Sequence, residues 1–311
     1  MTRWMLAMYS AVATLCGAPA ATNAEQVSAH QISGPTMLDM TWPEFAKAVA
    51  TTDIMLVPVG SIEEHGPHLP LDSDAIGAVH QLVTVQAVLR ERGIDTIVGP
   101  TTNIGITNEA ADASRDGTYM YPGSLTLPVD TFVRLYVDLL RSLRANGIRT
   151  VFMYSGHLGG RHLTAVARAA TEASATIQGL RVYALIDTER LERLSLPTSA
   201  VLAIERGLNF EMLRQLFGDG PEPSVSTHAD GWETSLLLYY RPDVVRPGYA
   251  HLPQASSAQF FAAGEAGDTS KNPSGMGGFP LGKASAEVGR QIDSYRAGRI
   301  VAAILKILEP R

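Results

Sequence analysis

Short runs of apolar residues alternate along the chain with longer segments in which apolar residues recur every three or four positions. The short runs are typical of buried strands, and they occupy residues 54–59, 94–98, 150–154 and 180–186. The longer segments predict helices at residues 41–50, 75–92, 128–145, 160–175 and 284–308. Strands that alternate with long helices indicate an α/β fold of three layers (α/β/α), with a mostly parallel central sheet.

The composition is that of a globular protein. Of the 311 residues, 45% are hydrophobic and 18% are charged, so the chain can bury a large core. The formal net charge of −6 and the lack of a basic cluster argue against nucleic acid as a partner. No linker or repeat divides residues 25–311, which we therefore interpret as one domain.

Residues 1–24 have the pattern of a secretory signal peptide. Arg3 supplies a positive charge, and the apolar segment at residues 4–15 is too short to span a bilayer. Cys16, the single cysteine, lies within the predicted signal peptide, so the cleaved chain would have no disulfide. We expect a bacterial periplasmic or secreted protein with no stable membrane insertion after cleavage; an uncleaved N-terminal anchor is the alternative.

The most informative polar residues follow the first predicted strand. Glu63 and His65 are two positions apart, so they point to the same side if the strand direction persists. A turn with Gly66 and two prolines comes next, and Asp74 stands where a helix is expected to begin. Two carboxylates and an imidazole suit Zn²⁺, Mn²⁺ or Fe²⁺. The alternative is a proline-rich loop with ordinary surface charges.

The segment at residues 63–70, EEHGPHLP, with Asp74 after it, closely resembles the creatininase (creatinine amidohydrolase) family of metal-dependent amide hydrolases. Two later segments share the resemblance, residues 154–160 (YSGHLGG) and residues 227–235 (THADGWETS). Together with a Gly-rich segment before residues 284–287, they extend the resemblance over about residues 38–308. The resemblance implies the creatininase-like three-layer fold, and its motifs specify no particular substrate.

The resemblance also implies a site with two divalent metal ions (Zn²⁺, Mn²⁺ or Fe²⁺). By the family pattern Asp74 bridges the ions, Glu63 and His157 bind one of them, and His65 binds the other. Creatininases have a glutamate ligand two positions after the histidine of the second segment, where this chain has Gly159. We therefore expect Glu233 to supply the missing carboxylate.

His228 is the candidate for proton transfer, because an imidazole titrates near neutral pH and can both accept and donate a proton. We assign His228 and Glu233 as catalytic residues. The alternative is that Glu233 is a helix N-terminal acid favoured by the helix dipole and that His228 lies on the surface. Glu64 and His68 are candidates for orienting the imidazoles, with an ordinary structural role as the alternative. The remaining histidines are interpreted as structural: His30, His80, His162 and His251.

A long polar loop at residues 101–125 interrupts the alternation of strands and helices, and such loops are usually functional or mobile. In the family, the corresponding loop ends in Pro-Gly-Thr and approaches the active site. Pro122, Gly123 and Ser124 resemble that ending. We expect this loop and residues 245–280 to determine specificity; a surface loop without a role is the alternative.

The resemblance implies an amidohydrolase that cleaves a non-peptide C–N bond, in a cyclic amide or a formamide, by a metal-bound hydroxide. The substrate is then a small molecule, and the family commonly assembles as a homo-hexamer. A lactonase or a peptidase on the same site is one alternative, because a metal hydroxide does not choose its acyl carbon. A non-catalytic periplasmic protein that binds metal or a small molecule is the other, and Ser155, Gly160 and Asp230 favour it because they depart from the family pattern.

Overall fold

A computed structural model of the chain describes residues 36–107, 121–194, 196, 200–207, 209–218, 227–253 and 274–308. The predicted signal peptide at residues 1–24 and His30 lie outside these residues. So do residues 108–120 of the predicted specificity loop and residues 254–273 of the second predicted specificity segment. Within the described residues, no helix is both long enough and apolar enough to cross a membrane.

A five-stranded sheet forms the centre of the fold, in the order β2-β1-β3-β4-β5. Its strands are β1 (Ile54–Val59), β2 (Ile97–Val98), β3 (Thr150–Ser155), β4 (Arg181–Asp187) and β5 (Val201–Ile204). All four pairs of neighbouring strands run parallel. The predicted α/β fold with a mostly parallel sheet is therefore confirmed.

Helices cover both faces of this sheet. Those within the described residues are α1 (Trp42–Val49), α2 (Ser73–Glu91), α3 (Val129–Ala145), α4 (Gly160–Thr176), α5 (Thr188–Leu194), α6 (Phe210–Phe217), α7 (Gly231–Tyr240) and α8 (Ala286–Leu308). Met55 and Val57 of β1 pack in the core formed with α3 and α4, whereas Leu56 packs in the core formed with α2 and α8. Burial on both faces explains why β1 is a continuous apolar run.

The predicted elements agree with the structure except at two places. The second predicted strand, residues 94–98, is wrong at its start, because the Ile94 amide donates to Leu89 O at 3.0 Å and so closes the end of α2. Strand β5 and helices α5 and α6 were not predicted. The apolar run of β5 is only four residues long, and α5 has seven residues and no buried side chain within the described residues, so both give a weak local signal.

The order of the strands brings distant segments together. Because β1 and β3 are parallel and Val59 pairs with Ser155, the loops that follow these strands leave the sheet side by side. Gly156, just after β3, lies against the Asp74 backbone, and a Cβ there would be 2.0 Å from Asp74 O. Only glycine permits this approach of the two loops.

Candidate metal centre

The five side chains expected to bind metal converge in one buried cluster, which we call the candidate metal centre. On one side, His157 Nδ1 lies 2.8 Å from Glu63 Oε2 and 3.4 Å from Asp74 Oδ2. On the other side, His65 Nε2 lies 3.3 Å from Asp74 Oδ1 and 4.0 Å from Glu233 Oε2. Three segments that are distant in sequence therefore meet within ligand distance of one another.

Asp74 lies at the middle of this cluster, in the first turn of α2. Its Oδ1 faces His65, and its Oδ2 faces His157. Ser61 Oγ donates a hydrogen bond of 2.5 Å to Oδ2 and so orients the carboxylate. Sequence reasoning missed Ser61, although its position two residues before Glu63 is the same alternating spacing that pointed to His65.

The loop between β1 and α2 reverses direction tightly, which returns Asp74 to His65. The Glu63 amide donates to Leu71 O at 3.0 Å across this loop. Gly66 has a φ of 63°, a conformation that side chains with a Cβ rarely adopt. A Cβ at Gly66 would also lie 2.5 Å from Met276 Cγ, so the turn needs glycine for space as well as for its backbone angle.

Within the described residues, two groups of three side chains have ligand atoms all within 4.8 Å of one another. One group is Glu63, Asp74 and His157, and the other is Glu63, His65 and His228. Glu63 belongs to both groups. The second group contains His228 at the place for which the sequence predicts Glu233, so the geometry offers two ways to complete the second half of the site.

Glu233 lies in the first turn of α7, which Asp230 caps. Its Oε2 accepts a hydrogen bond of 2.6 Å from the Ala229 amide. Ala229 has a φ of 49°, in the left-handed region that is uncommon for residues other than glycine. This bend before α7 places the Ala229 amide and the preceding His228 beside the cluster.

His228 is oriented by Glu64. His228 Nε2 donates to Glu64 O at 2.6 Å and lies 3.3 Å from Glu64 Oε1. Its ring is 4.5 Å from that of His65, and its side chain is only 13% exposed, so the alternative of a surface histidine does not hold. His68 instead shares a hydrogen bond of 2.8 Å with Thr234 of α7.

The carboxylates and imidazoles change each other's pKa in the metal-free chain. Burial acts to lower the pKa of His65, but the Asp74 carboxylate raises it to about 9. Burial acts to raise the pKa of Asp74, but His65 holds it well below its usual range. In the same way Glu63 raises the pKa of His157 well above its usual value, against the effect of burial. A metal ion must therefore displace protons from these imidazoles.

The donor set fits divalent metal ions. Carboxylate oxygens and imidazole nitrogens are ligands that Zn²⁺ and Mn²⁺ accept. In the part of the chain that the structure describes, Glu63, Asp74 and Glu233 have ion-pair contacts with histidines alone, with no lysine or arginine. Carboxylates that are buried, such as Glu63 and Asp74, are costly without such a partner unless cations or protons neutralise them.

Two further residues support the cluster from outside. His162, interpreted as structural, is fully buried, accepts from the Ile106 amide through Nδ1 at 3.1 Å and packs edge-on against His157. Asp230 accepts hydrogen bonds from the amides of Trp232 at 3.0 Å and Phe279 at 2.7 Å. Asp230, which departs from the family pattern, therefore has a structural role as the cap of α7. An aspartate three residues before Glu233 is the sequence signal of such a cap.

Comparison with known proteins identifies the family. The sequence model of the creatininase family, described as creatinine amidohydrolase, matches residues 38–304. The chain belongs to the creatininase family. Creatinine amidohydrolase of Pseudomonas putida is 22% identical to this creatininase-family chain over 208 residues, which are 67% of this chain and 72% of that protein. Mycofactocin precursor peptide peptidase of Mycolicibacterium smegmatis is 29% identical over 193 residues, 62% of this chain and 60% of that protein.

Solved creatininases have the same fold. A mutant creatininase with phenylalanine in place of a tryptophan aligns with a TM-score of 0.63 and 22% identity, over 88% of this chain and 99% of its own. A manganese creatininase aligns with a TM-score of 0.60 and 20% identity, over the same shares of the two chains. This creatininase-family chain is thus a hydrolase by family, with a candidate metal centre. Its relatives are named for creatinine and for a precursor peptide, so membership leaves the type of substrate open.

Proposed function

We propose that this member of the creatininase family is an amidohydrolase that holds two divalent cations and cleaves a non-peptide C–N bond. The observation that carries the proposal is the position of Asp74, whose two oxygens face two different imidazoles at 3.3 Å and 3.4 Å. A carboxylate placed in this way is suited to bridge two ions. Because this carboxylate is buried, water cannot solvate its negative charge, so a cation or a proton must balance it.

Glu63 and His157 would hold one cation with Asp74. His65 would hold the other with Glu233 or, in the alternative arrangement, with His228. When bound, such ions act as Lewis acids toward an amide carbonyl and make water acidic near neutral pH. The candidate metal centre is buried, which strengthens these electrostatic effects relative to water.

His228 is placed to give a proton to the departing nitrogen. In the metal-free chain burial acts to lower its pKa, but the Glu64 carboxylate at 3.3 Å raises that pKa well above its usual value. Glu64 therefore favours the protonated imidazole that a general acid needs. Glu64 also fixes the ring, since its backbone carbonyl accepts from Nε2 at 2.6 Å.

A second candidate function is cleavage of a peptide bond. It is supported by the similarity to the mycofactocin precursor peptide peptidase, which is more identical to this chain than the creatinine amidohydrolase is, at 29% against 22%. The same groups would act on either bond, because an amide and a peptide present the same carbonyl and nitrogen to the site.

Metal analysis of the purified chain, combined with turnover of cyclic amides, formamides, lactones and short peptides, tests the proposal. We expect about two divalent ions per chain, as in other two-metal hydrolases, and turnover of an amide that is lost on chelation and restored by metal. A chain that binds no divalent ion would refute the proposal. Metal binding without turnover of any compound would instead favour a binding protein.

The variant Glu233→Gln decides how the second half of the site is completed. If Glu233 is a ligand, the metal content should fall from about two ions to about one per chain. If His228 takes this position, the content should stay near two. Glu211→Gln, an exposed acid in the first turn of α6, is the matched control and should leave metal content unchanged.

A further inference from the structure

A small cavity adjoins the candidate metal centre. It has a volume of about 40 Å³ and lies between α2, α7, α8 and the end of β3. His65, Asp74 and Glu233 form the part of its wall that belongs to the candidate metal centre. The same cavity is also lined by Arg296 of α8, which has no part in the proposed metal binding or proton transfer.

Arg296 is an unusual residue for the interior. Its side chain is 4% exposed, and its Nη2 donates a hydrogen bond of 2.6 Å to Tyr154 Oη. The guanidinium carbon lies 5.4 Å from the Trp232 ring and 5.8 Å from the Tyr154 ring. Among the described residues, no carboxylate makes an ion pair with it, although Asp187 is near enough to interact electrostatically.

A guanidinium has five donor hydrogens, and the described residues give this one a single hydrogen bond. A buried charge without an ion-pair partner costs free energy, which natural cores avoid unless another group balances it. Because Arg296 lines the cavity, a ligand in the cavity can meet the remaining donors. The cavity has room for a few water molecules or for one group of similar size.

We propose that Arg296 binds a carboxylate of the substrate, so that the substrate class is a carboxylate-bearing amide. This inference rests on the proposed function. A carboxylate matches the cavity in size, and arginine pairs with carboxylates through two parallel hydrogen bonds. Two divalent cations and Arg296 would together carry more positive charge than the negative charge of Glu63, Asp74 and Glu233. The net charge near the cavity would then favour an anion over a cation.

Paired substrates test the inference in the metal-loaded protein. Each pair consists of an N-acyl amino acid and the same compound with its carboxylate capped as a primary amide. We expect kcat/KM to favour the free carboxylate by about tenfold to a hundredfold in the wild type, the range of a charged hydrogen-bonded pair. Arg296→Gln should abolish this preference. Arg290→Gln, an exposed arginine on the same helix, should keep it.

A binding measurement separates this inference from the proposed function. Acetate and acetamide are titrated by calorimetry into the metal-loaded wild type and into Arg296→Gln, with metal content checked in each. Acetate that binds the cations alone would bind both proteins equally, whereas acetate held by Arg296 should bind the variant about tenfold or more weakly. This test needs no turnover, so it holds even if no amide is cleaved.

Equal acetate affinity in the two proteins would overturn the inference and leave Arg296 a structural link between α8, Tyr154 and Trp232. A carboxylate preference that survives Arg296→Gln would overturn it as well. If Arg296→Gln does not fold, Arg296→Lys serves in its place, because lysine keeps the charge but loses the paired geometry. That variant should show a reduced preference for the free carboxylate, and an unchanged preference would count against the inference.

Discussion

The two ends of the parallel sheet differ in how they hold charge. At the amino ends of the strands lies an open groove of about 740 Å³, lined by Asp53, Asp95 and Arg149 among others. Its charges are exposed: Arg149 Nε lies 3.6 Å from Asp53 Oδ2, and the two side chains are 60% and 45% exposed. At the carboxyl ends lies a cavity of about 40 Å³ lined by the carboxylates of Asp74 and Glu233.

The difference shows that the burial of charged side chains, and not the volume of the cavity, distinguishes the end of the sheet that carries the candidate metal centre. Water balances the charges in the open groove, so they interact weakly and can be replaced at little cost. At the carboxyl ends, buried carboxylates such as Asp74 face neighbouring histidines, and the pKa values of both groups shift in consequence. Shifted groups gathered beside a cavity are typical of active sites.

The largest expected contrast comes from the same substitution at each end. Asp74→Asn removes the charge that faces both His65 and His157, so we expect fewer than one bound ion per chain and a loss of about a thousandfold or more in kcat/KM. Asp53→Asn should change neither quantity. Elemental analysis and steady-state kinetics measure both, and an Asp74→Asn protein with full metal content and activity would refute the candidate metal centre.

Next in size is the effect of removing His228. His228→Asn deletes the proposed proton donor, so kcat should fall by about a hundredfold or more. Metal content should remain at the wild-type level if His228 is not a ligand. His251→Asn, at an exposed histidine, is the control and should keep kcat unchanged. A His228→Asn protein with normal kcat would remove this residue from the mechanism.

Metal affinity should depend on pH at the carboxyl end. In the metal-free chain Asp74 raises the pKa of His65 to about 9, against the effect of burial, so this imidazole stays protonated at neutral pH. Metal must displace that proton, so the apparent Kd should tighten by about tenfold per pH unit for each displaced proton as pH rises toward 9. Competition with a chelator measures this slope, and a Kd constant from pH 6 to pH 9 would contradict it.

The smallest effect is expected at the amino end. Arg149→Gln breaks the exposed pair with Asp53, and the free energy of unfolding should change by less than about 1 kcal/mol. Urea denaturation measures the change, and metal content should be unaffected. A larger loss of stability, or any loss of metal, would mean that the two ends of the sheet are not as independent as the comparison implies.

Much of the site was predictable because it follows strands that are themselves easy to recognise. The run Ile54–Val59 is buried on both faces, so its composition alone marks β1 with its observed bounds. Glu63, His65 and Asp74 lie within the 15 residues that follow its end at Val59, and His157 comes just after β3. Since parallel strands end at the same edge of a sheet, these residues could be expected to meet.

Other features depended on packing that no local pattern encodes. The position of Glu233 beside His65 depends on where α7 lies, and the sequence did not show that His228 reaches the ligand group of Glu63 and His65. Glu64 was a candidate for orienting an imidazole, but only the structure shows that this imidazole is His228, which the bend at Ala229 places beside it. These contacts join residues more than 160 positions apart.

By itself, the sequence determined the parallel α/β fold, the family and the segments that carry the chemistry, because apolar periodicity and short motifs are local properties of the chain. Only the tertiary structure decided which side chains contact one another at the candidate metal centre. It also revealed the cavity and the buried Arg296, which in sequence is one more arginine on a polar stretch of helix. The reason is physical. Burial and ion pairing depend on how α2, α7 and α8 pack together, and the sequence of one helix does not specify which elements pack against it.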